Sequence, residues 1–353
     1  MSTGMKSFFS ELRFYALILV LFVVLLLWRP LFAGETFFWG TPLLQFVPWL
    51  RLAASLWRTG HMPLWNPLVG CGAPLAANYQ TGAFYPPNLL HMLLPVEVAI
   101  VWLTAFHLLL AGWGMYRWGR AAGLSPFSSS IGALAISGSS FLVARAGLFP
   151  SIAFTFPWLP VWLWCAEELV QRGDGRAVFR MGLSLGLGLL AGHAQTAFYG
   201  GILLAAYLIF RAVYDHRKER KDLCKFSLRS SRPLRLNLAG LIARMRASAL
   251  SRKAITMKCA IAMALGVGLA AIQLLPTAEL MLLSQRSGGV RYDFAMTYSF
   301  WPWRILTLFA PDFFGNPGRG DYWGYASYWE DAGYIGLLPL LMALRAVAGR
   351  RKR

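Results

Sequence analysis

The chain has 353 residues, of which 57% are hydrophobic and only 14% charged, with a formal net charge of +19. Soluble domains carry about 25% charged residues, so a soluble all-α fold is excluded as the first reading. The positive balance invites a nucleic-acid reading, which is set aside because the cations stand beside long apolar runs, where anionic lipid is the nearer partner.

Lys6 and Arg13 precede the apolar run 14–28. The outline is that of a signal peptide, but the run is long for one and Trp28-Arg29-Pro30 offers no small-residue cleavage site. An uncleaved first helix is expected. The fold class expected is all-α: a polytopic transmembrane bundle of about eight spans with two long extracytoplasmic loops. The spans fall near 13–33, 96–116, 127–145, 151–170, 177–192, 195–213, 255–276 and 332–348, each near the ~20 residues that a bilayer demands.

Charge orients the spans. Every second connection is basic: Arg117 and Arg120, then Arg172, Arg176 and Arg180, then fourteen Lys and Arg between Arg211 and Lys258, then Arg350-Arg351-Lys352-Arg353. This positive-inside pattern puts both termini in the cytoplasm. The loop 214–254 is then cytoplasmic, with anionic membrane lipid as its expected partner; its amphipathic tail Leu234–Leu250 reads as an inner-surface anchor.

The stretch 34–95 is the first outward loop. Within it, Leu43–Trp57 has an approximate helical stripe of Leu44, Val47, Leu50, Leu52 and Leu56. That stripe suits either a helix lying on the outer surface or one packed on the spans. Pro63-Leu64-Trp65-Asn66-Pro67, Gly72-Ala73-Pro74, Asn78-Tyr79-Gln80-Thr81-Gly82 and Pro86-Pro87-Asn88 follow, a density of Pro, Gly and Asn that imposes fixed turns. Amides beside aromatic faces suit a hydroxyl-rich ligand such as a sugar. They also suit a plug that satisfies its own backbone near the membrane, and composition alone favours the plug.

Gly192-His193-Ala194-Gln195 lies at the next outward turn. A histidine at a membrane interface needs a partner or a task, either as a helix-end cap or as a ligand or proton carrier. The second long outward loop, 277–331, holds six of the fifteen acids. Carboxylates beside aromatic residues can act as bases or take a divalent ion through oxygen; solvated loop charge is the ordinary outcome. Asp312 and Glu330 stand out for their apolar and aromatic flanks. His107 is the one ionisable group expected in the middle of a span, which weakens a transporter reading.

In order along the chain, Leu44-Gln45-Phe46-Val47-Pro48-Trp49, Pro63-Leu64-Trp65-Asn66-Pro67, Ala191-Gly192-His193-Ala194-Gln195, Gln273-Leu274-Leu275-Pro276-Thr277, Pro311-Asp312-Phe313-Phe314-Gly315 and Ala332-Gly333-Tyr334-Ile335-Gly336 resemble blocks of the bacterial YfhO-like membrane protein family. That family in turn resembles GT-C type glycosyltransferases. The resemblance implies transfer of a sugar from a polyprenyl-phosphate-linked donor to a cell-envelope acceptor, on the outer face of the bacterial inner membrane. It also implies an acid just after span one, where this chain has Gly40-Thr41. The candidate bases are therefore Glu35, Asp312 and Glu330. Trp65, Asn66, Asn78, Gln80, His193 and Gln195 are expected to position the sugar, and Arg51, Arg145 and Arg291 to face its phosphate. No residue is assigned to a metal, although a divalent cation would also neutralise the leaving phosphate. Members of the family are longer, so the chain is expected to be a fragment or a short paralogue. The alternative reading is a non-catalytic protein that binds or assists a lipid-linked carrier.

Overall fold

The computed structural model describes residues 3–37, 40–229, 234–285, 287–289, 291–297, 299, 301–325 and 327–349; the side chains of 3–12 and 214–252, and those at 294, 295 and 331, lie outside that description. The protein is mostly helical. Helices α1 (Thr3–Leu26) and α2 (Trp28–Phe32) are followed by a π-helical turn, Pro42–Phe46, and α3 (Val47–Arg58). A two-residue hairpin pairs β1 (Trp65–Asn66) with β2 (Ala73–Pro74), and 3-10 turns cover Tyr79–Thr81 and Pro86–Met92. The bundle proper comprises α4 (Val96–Ala121), α5 (Pro126–Ser137), α6 (Ser140–Ala146), α7 (Pro150–Thr155), α8 (Trp158–Arg172), α9 (Gly175–Leu190), α10 (Ala194–Arg229) and α11 (Leu234–Leu283). After α12 (Tyr292–Ala295) come two further 3-10 turns, α13 (Tyr328–Asp331) and α14 (Leu337–Gly349).

Among the described residues, α4, the Ala194–Val213 part of α10 and the Lys253–Leu283 part of α11 are each long and apolar enough to cross a membrane. Helix α4 alone, with 26 residues, is about 39 Å long at 1.5 Å per residue. Helices α5 and α6 qualify together, bent by 40°. Two predicted spans are thus interrupted. The segment 127–145 breaks at Gly138-Ser139, where Ser139 is extended (φ −61°, ψ 137°) before α6. The segment 151–170 breaks near Pro157, whose ring supplies no backbone N–H to continue a helix.

Helix α4 is the centre, packed against α5 and α8. Trp162, Leu108, Leu142 and Leu169 are fully enclosed around it, and the Trp162 indole N–H donates to the Ser184 carbonyl at 2.8 Å. Helices α9 and α11 touch through small residues. A Cβ at Gly186 would collide with Leu269, and one at Gly182 would lie 3.0 Å from the Ala262 carbonyl. Such glycines let two backbones approach closely where dispersion and shape drive the contact. By contrast Phe14, Leu17, Leu21 and Leu25 on α1 are exposed, an arrangement that suits hydrocarbon better than water.

The segment 40–95 is built from short, defined elements. Val47 and Leu50 of α3 are buried with Val96 and Ile100 of α4, so this helix packs on the bundle while Leu43 and Leu44 remain exposed. The predicted second loop starts later than expected, because α11 continues past Pro276 to Leu283. The predicted inner-surface anchor Leu234–Leu250 is helical backbone within α11, its side chains outside the described residues, as is the basic tail 350–353.

Candidate functional site

Three segments far apart in sequence come together, two of them at Arg145 and the third packed against one of these two. The first is the Asn-rich loop. Asn78 caps the turn that follows it, its Oδ1 accepting from Gln80 N–H at 3.3 Å. The loop is pinned to α11 by the Gln273 amide, which donates to the Ala76 carbonyl at 2.6 Å, and by the Thr277 hydroxyl, which donates to the Ala77 carbonyl at 3.0 Å. The buried Tyr79 hydroxyl donates to the Leu189 carbonyl, and burial pushes its pKa up to about 12. Tyr79 is therefore a neutral strut.

The second segment is the Gly192-His193 turn. Gly192 adopts φ +101°, and a Cβ there would lie 3.2 Å from the Tyr79 carbonyl and 3.3 Å from that of Gln80. Only glycine meets both conditions comfortably. Gly192→Ala is expected to destabilise the protein by about 1–3 kcal/mol, read as a lower thermal unfolding midpoint in detergent; an unchanged midpoint would refute the close approach. His193 is fixed next to it. Its backbone N–H donates to Thr155 Oγ1 at 3.1 Å, and its Nδ1 accepts from Thr196 N–H at 3.1 Å. Nδ1 is thus an acceptor, and the ring proton resides on Nε2. Burial, and secondarily the Arg145 charge, lower its pKa to about 4, so the ring is neutral at neutral pH.

The third segment is α13. Arg145 is buried, with 6% of its surface exposed. Its guanidinium lies over the Phe141 ring at 4.1 Å, donates to the Trp329 carbonyl at 2.8 Å, and stands 3.6 Å from the Glu330 carboxylate. At that distance the ion pair is Coulombic rather than hydrogen-bonded.

The predicted site residues divide. Glu330 and His193 both lie within the influence of Arg145. Gln80 is exposed on the adjoining loop and accepts from the Gln45 amide at 3.4 Å. Gln195, also exposed, donates to the Tyr199 hydroxyl at 3.1 Å. Asp312 does not reach Arg145. It accepts from Tyr328 OH at 2.8 Å, from Arg319 at 3.1 Å and from the Asn316 amide at 3.2 Å. Those bonds hold α13 in place through Tyr328, whose pKa burial and the Asp312 carboxylate raise to about 12. Glu35 is half-exposed and paired with Arg29. Arg51 pairs with Glu97 at the surface, and Arg291 with Asp293. Asn66 is buried and serves its own turn, Oδ1 accepting from Leu68 N–H at 2.9 Å. Trp65 covers Gly72 with its indole and keeps half its surface exposed.

The donor set does not fit a divalent ion: among the described residues no group of three or more His, Cys, Asp or Glu is placed to hold one. Glu330 faces a guanidinium, and Asp312 is saturated by donors.

Two sets of contacts were not foreseen from the sequence: the partners of His107 and the pairing of Glu167 and Glu168. His107 is not alone in the apolar interior but bonded on both ring nitrogens, to Tyr85 OH at 2.7 Å and to the Leu103 carbonyl at 2.6 Å, and stacked on Phe154. Trp158 completes that chain by donating to Tyr85 OH at 3.0 Å. The adjacent acids Glu167 and Glu168 are both buried and paired with arginines of neighbouring helices. Consecutive acids closing an apolar run, with Arg172 and Arg180 just beyond, were the available signal. No protein-family profile, no curated protein and no solved structure matches the chain.

Proposed function

We propose that this is an eight-span protein of a bacterial inner membrane, with both termini in the cytoplasm, that transfers a sugar from a polyprenyl-phosphate carrier to a cell-envelope acceptor on the outer face. The observation that carries the reading is one buried arginine that faces both Glu330 and the His193 turn, with the Asn-rich loop packed on that turn. A leaving lipid phosphate needs positive charge already in place as its own charge develops. Arg145 supplies that charge. Glu330, released from Arg145 as the phosphate takes over that guanidinium, is the base that removes the acceptor hydroxyl proton. The hydroxyl oxygen then bonds to the anomeric carbon as the bond to the phosphate oxygen breaks. His193, neutral and donating through Nε2, positions a sugar hydroxyl, with Gln80, Gln195 and the exposed Trp65 face on the approach.

Purified protein in detergent is expected to release polyprenyl phosphate from a labelled lipid-linked sugar when an acceptor is present. No turnover across a panel of such donors would remove the enzymatic reading. One observation favours carrier binding without transfer: each of the three candidate bases is already ion-paired. Retained function in cells carrying Glu35→Ala, Asp312→Ala and Glu330→Ala together would select that second reading.

A further inference from the structure

The end of α4 remote from Glu97 holds a charged cluster that the proposed chemistry does not use. Arg117 is twenty residues along that helix from Glu97, about 30 Å at 1.5 Å per residue, which is one hydrocarbon thickness away. Two buried carboxylates lie there. Glu167 pairs with Arg211, whose Nε stands 2.9 Å away, and accepts from the Gln171 amide at 2.7 Å and Tyr207 OH at 2.5 Å. Among the described residues, Glu168 has no such neutral donors. It faces three guanidiniums, Arg180 at 3.0 Å and both Arg117 and Arg172 at 3.8 Å, and only the first is within hydrogen-bonding distance. The Arg180 Nε is buried with no hydrogen-bond partner among the described residues. Arg117 is clamped with its guanidinium 4.4 Å from the Trp164 ring centroid and 5.5 Å from that of Trp113, which fixes the plane of its donors.

A fourth cation comes from α11. The Lys258 amine stands 3.1 Å from where a Cβ of Gly173 would be, directly after Arg172. Asp174 is the other acid at this corner, and its Oδ1 is committed to capping α9 through Ala177 N–H at 2.7 Å. Five cations, counting Arg211, thus meet three carboxylates. Clustered guanidinium donors of this kind are the usual recognition chemistry for phosphate oxygens.

We infer that this corner is a binding site for a phosphate-bearing anion at headgroup depth, with Arg172 and Lys258 as its outer ligands and Arg117 and Arg180 as its inner ones. A phospholipid headgroup and soluble phosphate share that chemistry, and the site is independent of the reaction proposed at the opposite end.

Delipidated protein in neutral detergent would be titrated separately with phosphatidylglycerol, phosphatidylcholine and inorganic phosphate, and followed by native mass spectrometry and thermal unfolding. The expected result is a preference of about tenfold or more for phosphatidylglycerol over phosphatidylcholine, with Arg172→Gln and Lys258→Gln each lowering it about fivefold, the effect of one cation beside an anionic headgroup. Arg120→Gln is the control. It removes a cation at the same helix end, but one that donates to the Leu124 carbonyl at 2.6 Å, and it should leave the preference unchanged. Stabilisation by phosphatidylglycerol alone identifies a lipid site; stabilisation by inorganic phosphate as well identifies an anion site filled from either source. An equal loss in Arg120→Gln and Arg172→Gln, or no preference at all, overturns the proposal in favour of diffuse surface charge. The unfolding midpoints of the variants verify that the fold persists, since both outer ligands lie at the periphery of the cluster.

Discussion

Arg145→Gln is expected to lower turnover of a polyprenyl-phosphate-linked sugar by about 100- to 1000-fold, the range seen when one preorganised stabiliser of developing negative charge is removed. Glutamine removes the charge but is too short to keep the bond to the Trp329 carbonyl, so turnover is compared at matched unfolding midpoints. The physical reason for a large effect is burial. A cation held in a site from which water is excluded acts on a developing phosphate charge far more strongly than one in solvent. Arg51 and Arg291, the other cations expected at the phosphate, are surface groups paired with Glu97 and Asp293. Their Gln variants should stay within about threefold of wild type, since exposed ion pairs contribute little. Steady-state release of the lipid phosphate, measured for all three variants at matched unfolding midpoints, decides the matter. A uniform loss, or none, would remove Arg145 from the mechanism.

Glu168→Ala is expected to cost about 1.5–3 kcal/mol of stability, because it strips the shared anion from the cluster but leaves guanidiniums that are partly exposed and keep some hydration. Glu168 keeps 6% of its side chain exposed and joins Arg117 of α4, Arg172 of α8 and Arg180 of α9. The loss would therefore loosen three helices at once. Removing Arg172 alone should cost far less, since its side chain is 58% exposed and the remaining two arginines still match the acid. Denaturant or thermal unfolding of both variants in one detergent measures the difference. Equal, small effects would show that the cluster is not a structural clamp.

Much of the fold was legible because membrane constraints are local. An apolar run long enough for a span, and the Lys and Arg that flank it, can be read without knowing any contact. Helices α4 and α10 and the apolar part of α11 were placed in this way. The interruptions were harder. Gly138-Ser139 and Pro157 sit inside runs whose hydropathy continues across them, so composition joined what backbone geometry separates. The paired nature of Asn66 and Asn78 was half visible: the turn residues were evident, but whether their amides face a ligand or their own backbone depends on which side-chain rotamer each adopts.

The chain's composition and charge order determined that it is helical, built around apolar helices fit for a bilayer, because burying apolar area and keeping cations beside anionic headgroups are additive, short-range preferences. What only the tertiary structure decided is which ionisable groups act together. Arg145 meets α13 across 184 positions and Gln273 holds Ala76 across 197, and Glu168 gathers arginines from three helices. Electrostatic strength depends on distance and local dielectric, and neither quantity exists until the helices have packed.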